Sequence, residues 1–332
     1  MTTRGIFLGD AGEMQKVWGP GQRSALRLHV DVEDRVWTAD DLERAGEARR
    51  GVEVVFSTWG MPLLSARALE ALPDLKAVFY AAGSVRSFAA PLWERGITVV
   101  SAWQANAVPV AEFTLAHIIL ALKQYWPHVR VLREEGNAGG WRPLPMPGVY
   151  GATVGLVSLG VIGRRVVDAL RGFDVQCVAY DPFFNREEAR SLGVELRSLE
   201  DVFFTADVVS IHTPWLKETE GLITGRLVES MKPGATLINT SRGAVVAEAE
   251  MAAVLQRRPD LTAVLDVTHP EPPEEGSLLY SLPNVLLTPH IAGSVGLEVQ
   301  RMADWMVEEC AAWREGRPLR FAVTEEMASR MA

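Results

Sequence analysis

Three side chains that can handle charge stand just beyond three short apolar runs of this sequence. They are Arg242 in Ile238-Asn239-Thr240-Ser241-Arg242-Gly243, Glu271 in Pro270-Glu271-Pro272-Pro273, and His290 in Leu287-Thr288-Pro289-His290-Ile291-Ala292-Gly293. A guanidinium in such a place can hold a carboxylate through two parallel hydrogen bonds. A single histidine is most often a packed or surface imidazole. Three ionisable groups at successive strand ends are harder to dismiss, because ligands of parallel sheets bind outside the carboxyl ends of the strands. A further acid, Asp266, closes the run Val264-Leu265-Asp266-Val267.

A second cluster points to phosphate. Val154-Gly155-Leu156-Val157-Ser158-Leu159-Gly160-Val161-Ile162-Gly163 reads as a strand, a tight turn and a helix start. The dinucleotide fingerprint wants glycine at the positions of Ser158, Gly160 and Gly163, and two of the three are present. Gly160 lets the backbone approach a pyrophosphate, and Gly163 lets the helix pack close to the strand. The N–H groups near Val161 and Ile162 face phosphates at a helix N-terminus. A βα turn whose glycines serve packing alone would read the same way. The next strand, Val178-Ala179-Tyr180-Asp181, ends in an acid 18 residues past Gly163, close to the ~20 expected of a ribose-binding carboxylate. A carboxylate there accepts hydrogen bonds from the ribose hydroxyls and repels a 2′-phosphate, which favours NAD over NADP.

Strands alternating with helices must position these groups. Residues 54–57, 77–80 and 97–101 read as strands, and 66–71 and the stretch around Leu92 as helices. Such alternation means a parallel sheet with covering helices. Helical spacing runs through 108–123, with Pro109 in the first turn, where a missing N–H costs little. A loop rich in glycine and proline follows at 136–148. Strands at 153–158, 175–180, 208–212, 236–239, 263–266 and 285–287 fit a doubly wound dinucleotide-binding sheet. A last helix covers about 295–313.

The 332 residues suit two domains of ~100–200 residues. A net charge of −9 argues against nucleic acid or an anionic membrane as partner. Cys177 and Cys310 lie in no Cys/His cluster, so no metal is expected. The two cysteines could form one disulfide, but two free thiols in a reducing cytosol fit better. Residues 1–10 lack a basic segment followed by an apolar one, and no apolar run reaches the ~18 residues of a bilayer span. A cytoplasmic protein is expected.

From about residue 100 to 293 the ordered series resembles the D-isomer-specific 2-hydroxyacid dehydrogenases, which include glycerate, phosphoglycerate and lactate dehydrogenases and glyoxylate reductases. Asn106 with Val110-Ala111-Glu112, the glycine turn, Asp181, the Asn239–Gly243 run, Asp266-Val267 with Glu271, and Thr288-Pro289-His290 carry the likeness. The resemblance implies an α/β protein of two Rossmann-like domains, each a doubly wound parallel sheet. An NAD-binding domain (105–294) would be inserted into a flavodoxin-like substrate domain (1–104 and 295–332), with the active site in the cleft. A homodimer is implied as well. The implied reaction is NAD-dependent hydride transfer between nicotinamide and a D-2-hydroxy acid or 2-keto acid. His290 would be the acid/base, Glu271 would orient it and favour its charged form, and Arg242 would bind the substrate carboxylate and polarise the carbonyl. Asp266 would hold the nicotinamide carboxamide. Thr213, Pro214, Thr240, Ser241 and Gly293 would line the cofactor. Backbone groups of Ala82, Gly83 and Ser84 would take the substrate carboxylate.

The sequence departs from that pattern in places. Ser158 puts a side chain in the pyrophosphate turn. Tyr80 stands where relatives place an arginine or a small residue, Arg86 where an aspartate is usual, and Trp103-Gln104 where Pro-Gly is usual. With Trp141, Tyr80 and Trp103 either shape a pocket for a substrate bulkier than lactate or are packed aromatics. Two other readings share the scaffold. One is an NAD(H)-sensing, corepressor-like binding protein, against which stands the lack of long disordered tails. The other is a dehydrogenase of another small anion: formate, disfavoured by Glu271 where those enzymes carry glutamine, or phosphite.

Overall fold

The computed structural model describes residues 3–45 and 49–331. The chain divides into two compact units, Met1–Asn106 with Ser294–Met331, and Ala107–Gly293.

The first unit holds a five-stranded sheet: β1 (Arg4–Leu8), β2 (Asp31–Trp37), β3 (Val52–Ser57), β4 (Ala77–Tyr80) and β5 (Thr98–Ser101), in the order β2-β1-β3-β4-β5. All pairings are parallel, and the order is the flavodoxin-like one. Every residue of β4 is buried, as expected of a parallel strand covered on both faces. Neither β1 nor β2 is among the strands expected from the sequence. The edge strand β2 hides its signal in charge: Asp-Val-Glu-Asp-Arg-Val-Trp buries mainly Val32 and Trp37. The Arg35 and Arg49 guanidiniums lie 3.9 and 3.7 Å from the Trp37 ring centroid, so cations stabilise a ring that apolar neighbours would otherwise cover.

The end of the chain completes this unit. The helix Glu298–Arg314 buries Met302, Ala303 and Met306 in the same apolar cluster as Phe79 and Val100. The following segment then pairs antiparallel with β5 through the bridge Val100–Ala322, with Val323 N–H donating to Val99 O at 2.8 Å. Glu309 fastens the turn between them. Its carboxylate, only 1% exposed, accepts from Arg320 Nε (2.9 Å), Arg320 N (2.9 Å) and Phe321 N (3.2 Å). A buried carboxylate is costly without such partners.

The second unit holds seven parallel strands: β6 (Thr153–Val157), β7 (Gln176–Tyr180), β8 (Val194–Leu196), β9 (Val208–Ile211), β10 (Thr236–Asn239), β11 (Thr262–Leu265) and β12 (Val285–Leu287). The order is β12-β11-β10-β9-β6-β7-β8. The chain steps outward from β6 to β8 and then returns to β9 on the other side of β6. That reversal opens a crevice at the carboxyl ends of β6 and β9. Six of these strands are those expected; β8 is added, a three-residue edge strand too short to show a period.

Two expectations are corrected. The helix Tyr125–Gly139 runs past the expected loop start, resuming after a break at Gly136 (φ 62°, ψ −150°), because glycine tolerates that conformation. The helix Trp103–Leu122 is long and apolar enough to cross a membrane by length and composition, contrary to the reading that no run reaches that length. Half of its most apolar window is buried inside the protein, as in a core helix.

Candidate active site

The second unit places its polar residues along one row, the carboxyl ends of β6, β7, β9, β10, β11 and β12. At the end of β6 the chain turns through Ser158 into the helix Val161–Leu170, whose N-cap is Gly160. A Cβ on Gly163 would lie 2.3 Å from Ser158 O, so only glycine lets helix and turn pack this closely. A Cβ on Gly160 would meet only Ser158 Oγ, at 4.0 Å. The space over the helix start is open. No side chain caps that helix, and its first turn carries no acid, which leaves its N–H groups for an anion.

Asp181, one residue past β7, closes the turn from below. Its Oδ2 accepts from Leu159 N at 2.7 Å and from Ser158 Oγ at 3.3 Å, and its Oδ1 accepts from Phe183 N at 2.9 Å. Past β9, Thr213 Oγ1 donates to Val157 O at 3.3 Å, tying the two strand ends that flank the crevice, and Pro214 O accepts from Thr219 Oγ1 at 2.6 Å. His212, 8% exposed, lies under the glycine turn, its Cδ2 3.6 Å from where a Gly163 Cβ would be. Its Nε2 is 3.1 Å from Ser210 Oγ. Burial pushes the imidazole down to about 4, so it is neutral at pH 7.

Beyond β10, Asn239 staples the loop that presents Arg242. Its Oδ1 accepts from Ser241 N (3.0 Å) and Ser241 Oγ (2.8 Å), and its Nδ2 donates to Arg242 O (3.0 Å). Thr240 Oγ1 is 3.1 Å from Thr114 Oγ1 on the core helix. Gly243 follows because a Cβ there would lie 2.0 Å from the Thr268 carbonyl carbon. Arg242 is half-buried and donates to Ser241 O at 2.7 Å. Burial draws its guanidinium below the usual value and the charge of Glu271 partly offsets this, while an arginine stays cationic throughout.

Asp266, at the end of β11, is 1% exposed. Its Oδ1 accepts from Thr288 Oγ1 (2.7 Å) and Ile291 N (2.8 Å), and its Oδ2 from Ala292 N (2.8 Å). These bonds hold the loop after β12 in which His290 takes a left-handed conformation (φ 55°). His290 Nδ1 lies 2.7 Å from Glu271 Oε1, and both side chains are a little under half exposed. The arrangement provides an imidazole with one nitrogen held by a carboxylate that follows the neighbouring strand, β11, and a guanidinium one strand end further along, past β10. Gly293 ends this unit.

The structure thus brings Arg242, Glu271 and His290 onto one row with Gly160, Val161, Ile162, Gly163, Asp181, Thr213, Pro214, Thr240, Ser241 and Asp266. Ala82, Gly83 and Ser84 lie in the other unit, on the loop after β4. There the buried Ser101 hydroxyl lies 2.9 Å from Ala82 O and 2.5 Å from Gly83 O, which pins the two peptides. Tyr80 is a core residue, 6% exposed, packed on Phe88 with ring centroids 4.8 Å apart, and burial pushes its phenol up to about 12. The packed-aromatic alternative describes it. Trp103 packs partly buried against that core, whereas Trp141 is 78% exposed. Arg86 donates to Met331 O at 3.5 Å. Sequence reasoning gave Asn239, Thr114 and Ser101 no role. Asn239 stood only as the first residue of the run that carries the family likeness, and Thr114 and Ser101 only as small polar residues inside apolar elements.

A parallel sheet in the Rossmann order, with an open glycine turn at its reversal point and an acid–base pair further along the same edge, defines a dinucleotide-dependent class of protein. Comparison with known proteins agrees. The model of the D-isomer specific 2-hydroxyacid dehydrogenase NAD binding domain matches residues 116–292. The D-3-phosphoglycerate dehydrogenase of Archaeoglobus fulgidus is 33% identical over 232 residues, 69% of this chain but 43% of that protein, so the match spans less than half of that relative. The glyoxylate reductase of Korarchaeum cryptofilum is 33% identical over 256 residues, 76% of this chain and 77% of that one. Among solved structures, the holo form of Rhodotorula graminis D-mandelate dehydrogenase superposes with a TM-score of 0.79 at 25% identity, covering 98% and 99% of the two chains. The chain belongs to the D-isomer specific 2-hydroxyacid dehydrogenase family. The cofactor of that domain fits the residues present: the space over Gly160 is open and the helix start behind it is uncapped.

Proposed function

We propose that this protein transfers a hydride between a nicotinamide dinucleotide and C2 of a D-2-hydroxy acid or 2-keto acid. The observation that carries the proposal is the 2.7 Å His290–Glu271 pair on the same sheet edge as the open glycine turn. NAD, when bound, supplies the hydride-transfer chemistry. Gly160, Val161, Ile162 and Gly163 would hold its diphosphate and Asp181 its ribose, with the carboxylate favouring NAD over NADP. Thr213, Pro214, Thr240 and Ser241 would line the remainder, and Asp266 and Gly293 the nicotinamide end.

In the reducing direction His290 gives the proton on Nε2 to the substrate carbonyl oxygen as C2 gains the hydride; in oxidation it takes the proton back. Glu271 on Nδ1 fixes the orientation of the ring, which leaves Nε2 for the substrate. Arg242 binds the substrate carboxylate and polarises the carbonyl. Its partial burial makes its charge act through a lower dielectric than water's. The N–H groups of Ala82, Gly83 and Ser84 are proposed as carboxylate donors too.

The same proposal includes a cytoplasmic homodimer. Trp141 and Tyr150, 78% and 86% exposed, offer apolar surface for a second copy.

The test is NADH consumption, read by its near-ultraviolet absorbance, over 2-keto acids from glyoxylate and pyruvate to phenylpyruvate, with NADPH in parallel. Turnover that is faster with NADH and lost in His290→Ala is the expected result. NADH binding without turnover on any of them would move the reading to a binding protein or an unusual substrate.

A further inference from the structure

Among the described residues, the non-glycine positions with positive φ are Gln124, Ser158 and His290. His290 is the proposed acid/base. Ser158, at φ 81°, holds a conformation that costs an L-residue about 1–2 kcal/mol relative to glycine, in a turn where glycine is the fingerprint residue. Such strain persists where surrounding structure over-determines it, and it clusters at ligand sites.

Two further observations say what the side chain meets. Its hydroxyl donates to Asp181 Oδ2 at 3.3 Å, on the oxygen that also takes Leu159 N–H. It is also the nearest atom to the open space over Gly160. The hydroxyl therefore stands between the diphosphate cradle and the ribose carboxylate. Asp181 accepts three hydrogen bonds from its own unit, two on Oδ2 and one on Oδ1. A carboxylate has about four acceptor positions. The open one for a ribose hydroxyl is then on Oδ1, and the Oδ2 bonds determine how the group is turned.

We infer that Ser158 is a specificity-determining residue: by tying Asp181 Oδ2 to the glycine turn, its hydroxyl keeps the carboxylate aimed at the ribose and sets the preference for NADH over NADPH. This rests on the dinucleotide reading above. Without the hydroxyl, Asp181 keeps only the Leu159 and Phe183 N–H bonds and can swing aside, making room for a 2′-phosphate.

The experiment is a fluorescence titration of the full chain with NADH and with NADPH, alongside thermal melts. The variants are Ser158→Ala, which keeps the strained backbone and loses the hydroxyl, and Ser158→Gly, which loses both. The ratio of the NADPH to NADH dissociation constants should fall about 3- to 10-fold in both variants, the worth of one hydrogen bond. Ser158→Gly should melt no lower than Ser158→Ala. A ratio unchanged in both variants, whatever happens to melting, would reduce Ser158 to a structural turn residue and overturn the inference. Failure of the unaltered protein to bind either dinucleotide would instead bring down the dinucleotide reading, and this inference with it.

Discussion

The backbone N–H of His290 donates to the carbonyl oxygen of Asp266 at 3.0 Å, while the Asp266 carboxylate gathers Thr288, Ile291 and Ala292 around it. One buried acid on β11 thereby shapes the loop of the next strand, and the strained backbone of His290 is held by bonds that its own side chain does not make. The imidazole is left free to pair with Glu271 on one side and to face outward on the other.

Asp266→Asn should therefore disturb catalysis through the loop. An amide keeps one acceptor oxygen and turns an NH2 toward a donor, leaving a buried group unsatisfied at a cost of about 1–3 kcal/mol. A lower melting temperature and a reduced kcat are expected. An unchanged kcat would show that the loop holds its shape without the carboxylate.

The acid–base pair predicts two different losses. His290→Ala should lower kcat by about 100- to 10,000-fold while NADH still binds. Glu271→Gln keeps the shape but removes a charge-assisted bond of about 1.5–3 kcal/mol, so kcat should fall about 10- to 100-fold. If steady-state kinetics showed kcat unchanged in Glu271→Gln, orientation of the imidazole, and not its charge, would be what Glu271 supplies.

Asn239 is predicted to act on the substrate through Arg242. In Asn239→Ala the loop loses the bonds to Ser241 and Arg242 O, so KM for the 2-keto acid should rise severalfold and stability fall by about 1–3 kcal/mol. Arg242→Ala should raise KM and also lower kcat, because its contact strengthens in the transition state. A normal KM in Asn239→Ala would mean the loop is held by Thr114 and Gly243 instead.

His212 predicts a pH dependence of stability. Its folded-state value of about 4 lies below the unfolded value of about 6.5, so the unfolded chain binds the proton more readily between those limits. The stability associated with neutral His212 is fully present above about pH 6.5 and is lost as pH falls toward 4, by about 3 kcal/mol at most. Denaturant melts at pH 7 and pH 4.5 should show that loss in the unaltered protein and a smaller one in His212→Gln. Equal losses would assign the acid sensitivity to other groups.

Much of the site was legible because each reactive residue ends or follows a recognisable apolar run, and strand ends are where such sheets bind ligands. Arg242, Glu271 and His290 could be placed on one edge without knowing a distance. How Asn239 and Asp266 hold their loops could not be read, because a buried acceptor's partners are set by where N–H and hydroxyl groups converge in space. In the fold, β2 and β8 escaped notice for different reasons: in the edge strand β2 three consecutive charged residues, Glu33-Asp34-Arg35, break the alternation, and β8 is three residues long. Tyr80 admits two readings from sequence alone, a pocket wall or a packed aromatic. An aromatic at a loop start suggests a pocket wall, but the ring turns inward onto Phe88. Where the Ser158 side chain goes was likewise not legible: its hydroxyl lies 3.3 Å from Asp181 Oδ2 and 4.0 Å from where a Gly160 Cβ would be.

The antiparallel seam between Val100 and Ala322, fastened by Glu309, has a consequence for how the protein is made. The second unit is one uninterrupted stretch of chain, Ala107–Gly293, and all its strands are synthesised before Val299 is added. The first unit has its five strands early but waits nearly two hundred residues for the helix and tail that cover Phe79 and seal the edge of β5. During translation that sheet has an uncovered apolar face and an unpaired edge, the features that recruit chaperones or lead to aggregation. The first sheet therefore stays incomplete for the whole time the inserted unit is being made.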